Sequence, residues 1–372
     1  MFSTSTGWAQ RLDDGAILHS TRGVQRWKVA SPRLPAGQVV TAVAYVSADS
    51  ARLLSAGSAV NQTTVDSWST WDGGTTWLRQ GGFTIHETVL AGEGGLDFVD
   101  PEHGWWSVGT TAPTGNSEVT GMLLYRTVDG GSIWHQVAWT DFTVPGSGNI
   151  PSQCHGFAPA AIFEPASFAN ASTGWITGQC DGVAPYLAVT HDAGLSWREQ
   201  TLPASIPSSD GPFTSPPQFT SSEDGAMLVS APGVGPVATL YLTTNGGLSW
   251  KPRLTPEFAP QALDFINADD GWLLIADSMN AGPAGEPDLW VTHNGGITWT
   301  SLQSAPANAS SGYSPRINLG GLSFDFITTQ LGWAAPAWPG EAVWGPDLMQ
   351  TLNGGNSWTL LTPQVTGAPP SP

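Results

Sequence analysis

An eight-residue pattern that ends in tryptophan recurs along the chain and limits the possible folds more than any other feature. One copy reads T-L-N-G-G-N-S-W at 351–358, and a degenerate copy reads S-T-R-G-V-Q-R-W at 20–27. The tryptophans that end the seven copies are Trp27, Trp77, Trp134, Trp197, Trp250, Trp299 and Trp358. A pattern repeated at this spacing indicates a repeat architecture, with one structural unit for each copy.

The residue types of this pattern predict a tight turn between two strands. An Asp or Asn side chain accepts hydrogen bonds from backbone amides just downstream, and the glycines after it allow positive φ. A short apolar run such as Leu240-Tyr241-Leu242 precedes the turn, and strand-forming residues follow the tryptophan. We therefore predict a β-hairpin whose tryptophan fills the gap between packed sheets. The turn residues are Asp72, Asp129, Asp192, Asn245, Asn294 and Asn353.

A second element, Gly-Trp, precedes most copies of the pattern and completes the unit. It occurs at Gly7-Trp8, Gly104-Trp105, Gly174-Trp175, Gly271-Trp272 and Gly332-Trp333, with Ser50-Ala51 and Gly225-Ala226 as substitutes. An aromatic strand such as Phe265-Ile266 lies upstream. Each unit thus reads as strands A, B, C and D, with the eight-residue pattern in the C–D turn. We predict an all-β fold, a seven-bladed β-propeller with four antiparallel strands in each blade.

The predicted propeller is one domain over residues 1–363. Its blades span about 1–32, 33–82, 83–140, 141–202, 203–255, 256–304 and 305–363, and a disordered, proline-rich tail covers 364–372. The first unit is short, because only Met1–Thr6 precede Gly7. Its missing strand could come from residues near 360–365 or from residues upstream.

The pattern T-x-D-G-G-x-S/T-W is the Asp-box, or bacterial neuraminidase repeat. Together with F-x(5)-G-W over seven units, it resembles the propellers of the photosystem II assembly and stability factor family, from about residue 1 to 363. The resemblance implies the propeller fold and a non-enzymatic scaffold that binds a protein partner, which in that family is a membrane protein. The family's arginine-rich face has no counterpart here, since net charge is −18 with 12 Lys and Arg.

A glycan-active enzyme is the alternative, because sialidases and xyloglucanases also carry the Asp-box. Sialidase chemistry needs an arginine cluster on a carboxylate, and only Arg316 lies in a long loop beside a tyrosine, Tyr313. Glycosidases need a carboxylate pair, and nothing in the sequence singles out a pair among Asp141, Glu164, Asp210, Glu286, Asp288 and Glu341. We therefore predict a protein that is not an enzyme, with a glycoside hydrolase or sialidase as the alternative.

The candidate binding site lies in the B–C and D–A connections, which share the rim opposite the boxes and vary in length. The segment 334–346 carries Trp338, Glu341 and Trp344 among prolines, a platform suited to stacking on a sugar or a peptide. Tyr313 and Arg316 in the preceding connection would complete the patch. The competing interpretation is that both tryptophans pack locally against the rim.

Net charge and cysteine content restrict the class of partner and the cellular compartment that can be expected. The net charge of −18 argues against a nucleic-acid partner, because no basic patch could neutralise phosphates. Low lysine content favours a location outside the cytoplasm, where Cys154 and Cys180 would form a disulfide; in the cytosol they would be free thiols. We expect a secreted, periplasmic or anchored protein, the last through an upstream segment.

The sequence predicts no cofactor, no metal site and no transmembrane segment. The histidines lack metal-ligand spacing, and the Asp-box has too few consecutive oxygen ligands for calcium. No apolar stretch is long enough to span a membrane. We expect a monomer that binds a protein or a glycan.

Overall fold

The computed structural model describes residues 1–11, 14–59, 62–111, 119–141, 144, 147–151, 166–178, 186–203, 213–231, 237–254, 260–275, 288–302, 322–336 and 348–367. Within these residues the secondary structure consists of β-strands, with no helix. The strands form seven sheets, which are the blades of a seven-bladed β-propeller. The all-β fold predicted from the repeat is confirmed. Blades are numbered here in chain order.

The chain divides into two compact units, and the first comprises residues 1–29 and 218–367. It holds blades one, five, six and seven. Blade one consists of β1 (Gly7–Gln10), β2 (Ile17–Ser20), β3 (Arg26–Val29) and β29 (Gln364–Thr366), and blade five contains β17 (Gln218–Phe219), β18 (Asp224–Ala231), β19 (Val237–Thr244) and β20 (Lys251–Leu254). Blade six consists of β21 (Pro260–Phe265), β22 (Asp270–Ile275), β23 (Asp288–His293) and β24 (Thr300–Leu302). Blade seven consists of β25 (Leu322–Phe326), β26 (Gly332–Pro336), β27 (Met349–Thr351) and β28 (Thr359–Leu360).

The second unit comprises residues 30–217 and holds blades two, three and four. Blade two consists of β4 (Val39–Tyr45), β5 (Ala51–Ala59), β6 (Gln62–Thr70) and β7 (Leu78–Ile85). Blade three consists of β8 (Thr88–Phe98), β9 (Gly104–Thr111), β10 (Val119–Thr127) and β11 (His135–Asp141). Blade four consists of β12 (Ser167–Phe168), β13 (Gly174–Gly178), β14 (Tyr186–Thr190) and β15 (Arg198–Glu199), and the short strand β16 (Phe213–Thr214) follows it in the chain. β7 ends at Ile85, beyond the blade boundary predicted at residue 82.

Blade one differs from the other blades in its fourth strand. Its order is β1-β2-β3-β29, and β29 pairs in parallel with β3, with Gln364 opposite Arg26 and Thr366 opposite Lys28. The C-terminal residues therefore join this sheet at the edge opposite the one where strand A was predicted to be missing. The prediction of a disordered tail from residue 364 is wrong for 364–366, because these residues cover the otherwise unpaired edge of β3. Residues 368–372 lie outside the described residues.

The glycine of Gly-Trp lies directly beneath the aromatic ring of strand A in its own blade. A Cβ atom on Gly104, Gly174, Gly225, Gly271 or Gly332 would come within 2.3–2.8 Å of a ring atom of Phe98, Phe168, Phe219, Phe265 or Phe326. In blade one the Met1 side chain occupies the equivalent place over Gly7. Glycine is required because any side chain would displace the ring from the core.

The tryptophans pack between successive blades. Trp105 of blade three stacks on Phe168 of blade four, with ring centroids 3.6 Å apart, and Trp272 stacks on Phe326 with centroids 3.8 Å apart. The box tryptophan Trp197 lies in one buried cluster with Leu124 of the preceding blade. Burial of these large rings between sheets supplies the main hydrophobic contribution to blade packing.

Candidate functional site

The Asp-boxes form one end of each blade and share one set of hydrogen bonds. In six copies the threonine hydroxyl and the N–H of the seventh residue both donate to the Asp or Asn oxygen, at 2.8–3.0 Å. The N–H of the second glycine position donates to the threonine hydroxyl at 2.8–3.0 Å. The fourth residue donates its N–H to the A–B turn of the same blade, as Gly354 does to Gln330 O at 2.8 Å. The box side chains therefore hold the turn.

Hydrogen bonding within the box favours the ionised form of two of its aspartates, Asp72 and Asp192. The backbone and hydroxyl of Thr76 donate to Asp72 and lower the pKa of that carboxyl. At Asp192 burial acts to raise the pKa, but hydrogen bonds from Ser196 and Thr190 outweigh it and the pKa is lowered. Both carboxylates are acceptors for their own turn, which agrees with a structural role.

The predicted binding residues Tyr313, Arg316, Trp338, Glu341 and Trp344 lie outside the described residues. The structure does place the strands from which their segments leave. Leu322, the first residue of β25, pairs with Pro336, the last residue of β26. The segments 303–321 and 337–347 are thus attached side by side, at the end of blade seven opposite its box.

Other predicted residues divide between described and undescribed parts of the chain. Cys154, Cys180, Glu164, Asp210 and Glu286 also lie outside the described residues. Asp141 is the last residue of β11 in blade three, and Asp288 is the first residue of β23 in blade six. These two aspartates belong to different compact units.

Two carboxyl groups with raised pKa values were not singled out from the sequence. Burial raises the pKa of Asp97 to about 6 and that of Asp264 to about 7. Each accepts the backbone N–H of the strand A phenylalanine in the next blade, Phe168 at 3.0 Å and Phe326 at 2.7 Å. The sequence signal was L-D-F, which occurs at 96–98 and 263–265. Their place between blades indicates a packing role.

A buried carboxylate in blade two is fully paired. Asp66 accepts hydrogen bonds from Arg79 Nε at 2.9 Å, from Arg79 Nη2 at 2.6 Å and from Gln38 Nε2 at 2.7 Å. Both Arg79 donors contact Oδ1 and the Gln38 amide contacts Oδ2, so each carboxylate oxygen of Asp66 has a partner. Asp66 therefore has a structural partner and is not a candidate acid or base.

A cavity of about 350 Å³ lies between blades two and three. Its lining includes Arg52, Trp71, Phe98, Asp100 and Pro101. It opens at the box end, since Trp71 is the second residue of its box and Asp100 lies in the A–B turn of blade three. The candidate binding residues predicted from the sequence all belong to connections at the opposite end.

The box histidines contact neighbouring polar side chains. His293 Nδ1 lies 2.6 Å from Asp270 Oδ1, and His191 Nδ1 lies 3.4 Å from Thr173 Oγ1. Among the described residues no three His, Cys, Asp or Glu side chains form a cluster that could hold a metal ion. No helix in the described part of the chain could cross a membrane.

No protein-family model matches the chain, and no curated protein matches it. Several solved structures match the chain. The GH74 xyloglucanase from Xanthomonas campestris is 16% identical with a TM-score of 0.55, over 96% of this chain and 52% of that chain. YCF48 bound to D1 peptide is 17% identical with a TM-score of 0.48, over 88% and 84%. The Trypanosoma rangeli sialidase in complex with sialic acid is 12% identical with a TM-score of 0.38, over 97% and 57%.

The likeness shows the fold alone. The xyloglucanase is 16% identical to this chain, and at that identity the match carries the fold and no activity. The chain spans about half the length of the xyloglucanase. A shared propeller hosts different chemistries, so function has to be argued from this chain's own residues.

Proposed function

We propose that this protein is a non-enzymatic binding scaffold that acts outside the cytoplasm and holds a protein partner at the blade ends opposite the Asp-boxes. The contrast between the two ends of the blades supports this proposal. At the box end the same hydrogen bonds recur in six boxes, with distances of 2.8–3.0 Å. At the other end the connections differ in length and sequence, and variable loops on a rigid scaffold are where binding usually occurs.

The proposed contact surface is centred on blade seven. The pairing of Leu322 with Pro336 puts the roots of the segments 303–321 and 337–347 next to each other. These segments contain two tryptophans, a tyrosine and an arginine, which are Trp338, Trp344, Tyr313 and Arg316. Tryptophan, tyrosine and arginine are the residue types that contribute most to protein interfaces.

The charge of the protein indicates the chemistry of the partner. A net charge of −18 favours association with a basic surface and accelerates the encounter at low salt. We therefore expect a protein partner with a basic patch, such as the exposed segment of an envelope membrane protein. Binding should weaken as ionic strength rises.

The proposal is tested by removing the two loop tryptophans. Tagged wild-type protein and the double variant Trp338→Ala/Trp344→Ala are used to capture proteins from an envelope extract, and the captured proteins are quantified. Trp139→Ala is the matched control, since Trp139 is 43% exposed but lies on the outer strand β11. We expect the double variant to lose a specific partner that the wild type and the control retain.

An assay for hydrolysis addresses the alternative function. The purified wild type is incubated with a panel of fluorogenic glycosides, beside the variant Glu341→Gln. We expect no turnover. Hydrolysis that is lost in the carboxylate variant would overturn the proposal and assign the protein to the glycan-active enzymes.

A further inference from the structure

We infer that the cavity at Arg52 is a binding site for a carboxylate that carries an apolar group. The site lies at the box end, between blades two and three, and is separate from the loop surface proposed above. Four features of the described residues support it: the place of Arg52 in the repeat, the donors of its guanidinium, the walls of the cavity and the charge around it.

Arg52 occupies the position that tryptophan holds in the Gly-Trp element of other blades. Ala51 pairs with Thr70 as Gly104 pairs with Thr127, so Arg52 corresponds to Trp105. The counterpart of Gly-Trp in blade two is therefore Ala51-Arg52, and the predicted substitute Ser50-Ala51 is wrong by one residue. The indoles of Trp105 and Trp272 fill the space between blades by stacking on the next phenylalanine. An arginine stem is slimmer than an indole, and a cavity of about 350 Å³ is present beside Arg52.

The guanidinium of Arg52 has N–H donors that are not used by any acceptor among the described residues. Nη1 donates to Ala51 O at 3.3 Å and Nη2 donates to Pro101 O at 3.2 Å. Nε is buried and has no acceptor among the described residues. A guanidinium carries five N–H donors, so these two long bonds leave the others for a ligand.

No carboxylate within the described residues forms an ion pair with Arg52. Only 3% of the residue is exposed, and burial lowers the pKa of its guanidinium. The rings of Trp71 and Phe98 lie 5.0 Å and 5.7 Å from its central carbon and supply cation–π contacts. A buried charge without an anionic partner is unfavourable, and an anion in the cavity would relieve that cost.

The walls of the cavity select the kind of anion. Val46, Val99, Pro101 and the two aromatic rings supply the apolar part of these walls, and Ser47, Ser50, Arg52 and Asp100 supply a polar part of similar extent. Asp100 also lines the cavity, but its own turn engages it, since the N–H groups of Glu102 and His103 donate to Oδ1 at 2.8 Å. One guanidinium facing an acidic neighbour disfavours a doubly charged anion such as phosphate. A singly charged carboxylate with an aromatic or branched body fits both the charge and the walls.

The size of the cavity restricts the ligand further. Its volume of about 350 Å³ is at the lower end of ligand pockets. It accommodates a small aromatic acid or the last residue of a peptide with its free carboxylate. These two sources share the chemistry of recognition and are distinguished by the experiment.

The experiment is calorimetric titration with 3-phenylpropionate, with its neutral amide and with inorganic phosphate. We expect the acid to bind saturably, and the amide and phosphate to bind at least about tenfold more weakly, because only the acid presents a monoanion to Arg52. Arg52→Trp restores the residue that the repeat uses elsewhere and should fold while losing binding. Arg52→Gln should lose binding as well, and Asp100→Asn should strengthen it.

A tripeptide that ends in phenylalanine identifies the source of the carboxylate. Binding of the free-acid tripeptide about tenfold tighter than 3-phenylpropionate would indicate the C-terminus of a protein, whereas equal affinity would indicate a small acid. The tripeptide amide should not bind in either case. The Trp338→Ala/Trp344→Ala variant should bind 3-phenylpropionate like the wild type, so failure of this site is distinct from failure of the proposed function.

Three results would overturn the assignment. The first is equal affinity for the acid and the amide, which would make the guanidinium irrelevant. The second is an unchanged affinity in Arg52→Trp. The third is a flat wild-type titration up to about 20 mM acid, which corresponds to a binding free energy weaker than about −2.3 kcal/mol.

Discussion

At the residue scale, the Asp-box is explained by one side-chain oxygen that accepts two hydrogen bonds. Asn353 Oδ1 accepts from Thr351 Oγ1 at 3.0 Å and from Ser357 N at 2.9 Å. The sequence predicted the turn because its chemistry is local. It did not predict the cavity at Arg52, because that depends on a single residue standing where other blades have tryptophan.

Replacing the box asparagine should lower stability without affecting a distant site. We expect Asn353→Ala to reduce the free energy of unfolding by about 0.5–2 kcal/mol, since the N–H of Ser357 loses its acceptor. Asn353→Asp is the control, because aspartate accepts the same bonds at Asp72. Urea unfolding followed by tryptophan fluorescence measures both. Equal losses in the two variants would contradict a capping role.

At the scale of strands and blades, buried aspartates join strand A of one blade to strand A of the next. Asp97 binds Phe168 N in the second unit, and Asp264 binds Phe326 N in the first. The sequence predicted strand A from its aromatic residue, and strands B, C and D from Gly-Trp and the box. It could not assign the L-D-F aspartates, because a residue that bonds to the next blade has no local signature.

These aspartates should make the protein less stable as pH rises. Their pKa values in the folded protein, about 6 for Asp97 and about 7 for Asp264, lie above the ordinary value of about 3.9. The folded state therefore binds more protons than the unfolded state between about pH 4 and pH 7, and this contribution to stability is lost as pH rises through that window. Hydrogen bonds lower the pKa values of Asp72 and Asp192, so their contribution to stability is lost as pH falls through these lowered values.

Removing both charges should flatten this dependence. Asn can accept the same N–H bonds, so Asp97→Asn/Asp264→Asn should unfold at similar urea concentrations near neutral pH and at mildly acidic pH. The wild type should lose stability over that range by an amount on the order of 1–3 kcal/mol. Measurement of unfolding free energies at several pH values checks this, and an equal slope in the two proteins would contradict it.

At the scale of the whole molecule, the repeat predicts the seven blades. It does not predict the fourth strand of blade one. The fold was predictable because every blade carries a box or Gly-Trp, and the two signals agree. The strand β29 was not predictable, because its three exposed residues become a strand only through pairing with β3. The loop residues Trp338 and Trp344 remain a prediction.

Pairing of β29 should contribute to the stability of blade one. Deletion of residues 364–372 should lower the free energy of unfolding by about 1–3 kcal/mol, because backbone hydrogen bonds to β3 are lost. Deletion of 368–372 alone is the matched control and should have little effect. Thermal unfolding of both truncated proteins checks this, and an unchanged midpoint in the longer deletion would contradict a role for β29.

Binding at the ends opposite the boxes is tested most directly by the affinity of the captured partner for two variants measured side by side. Trp338→Ala/Trp344→Ala should weaken partner binding at least about tenfold with an unchanged unfolding midpoint. Asn353→Ala should lower the midpoint and leave the affinity unchanged. Loss of affinity in Asn353→Ala alone, with full binding by the tryptophan variant, would contradict the proposal and move the binding surface to the boxes.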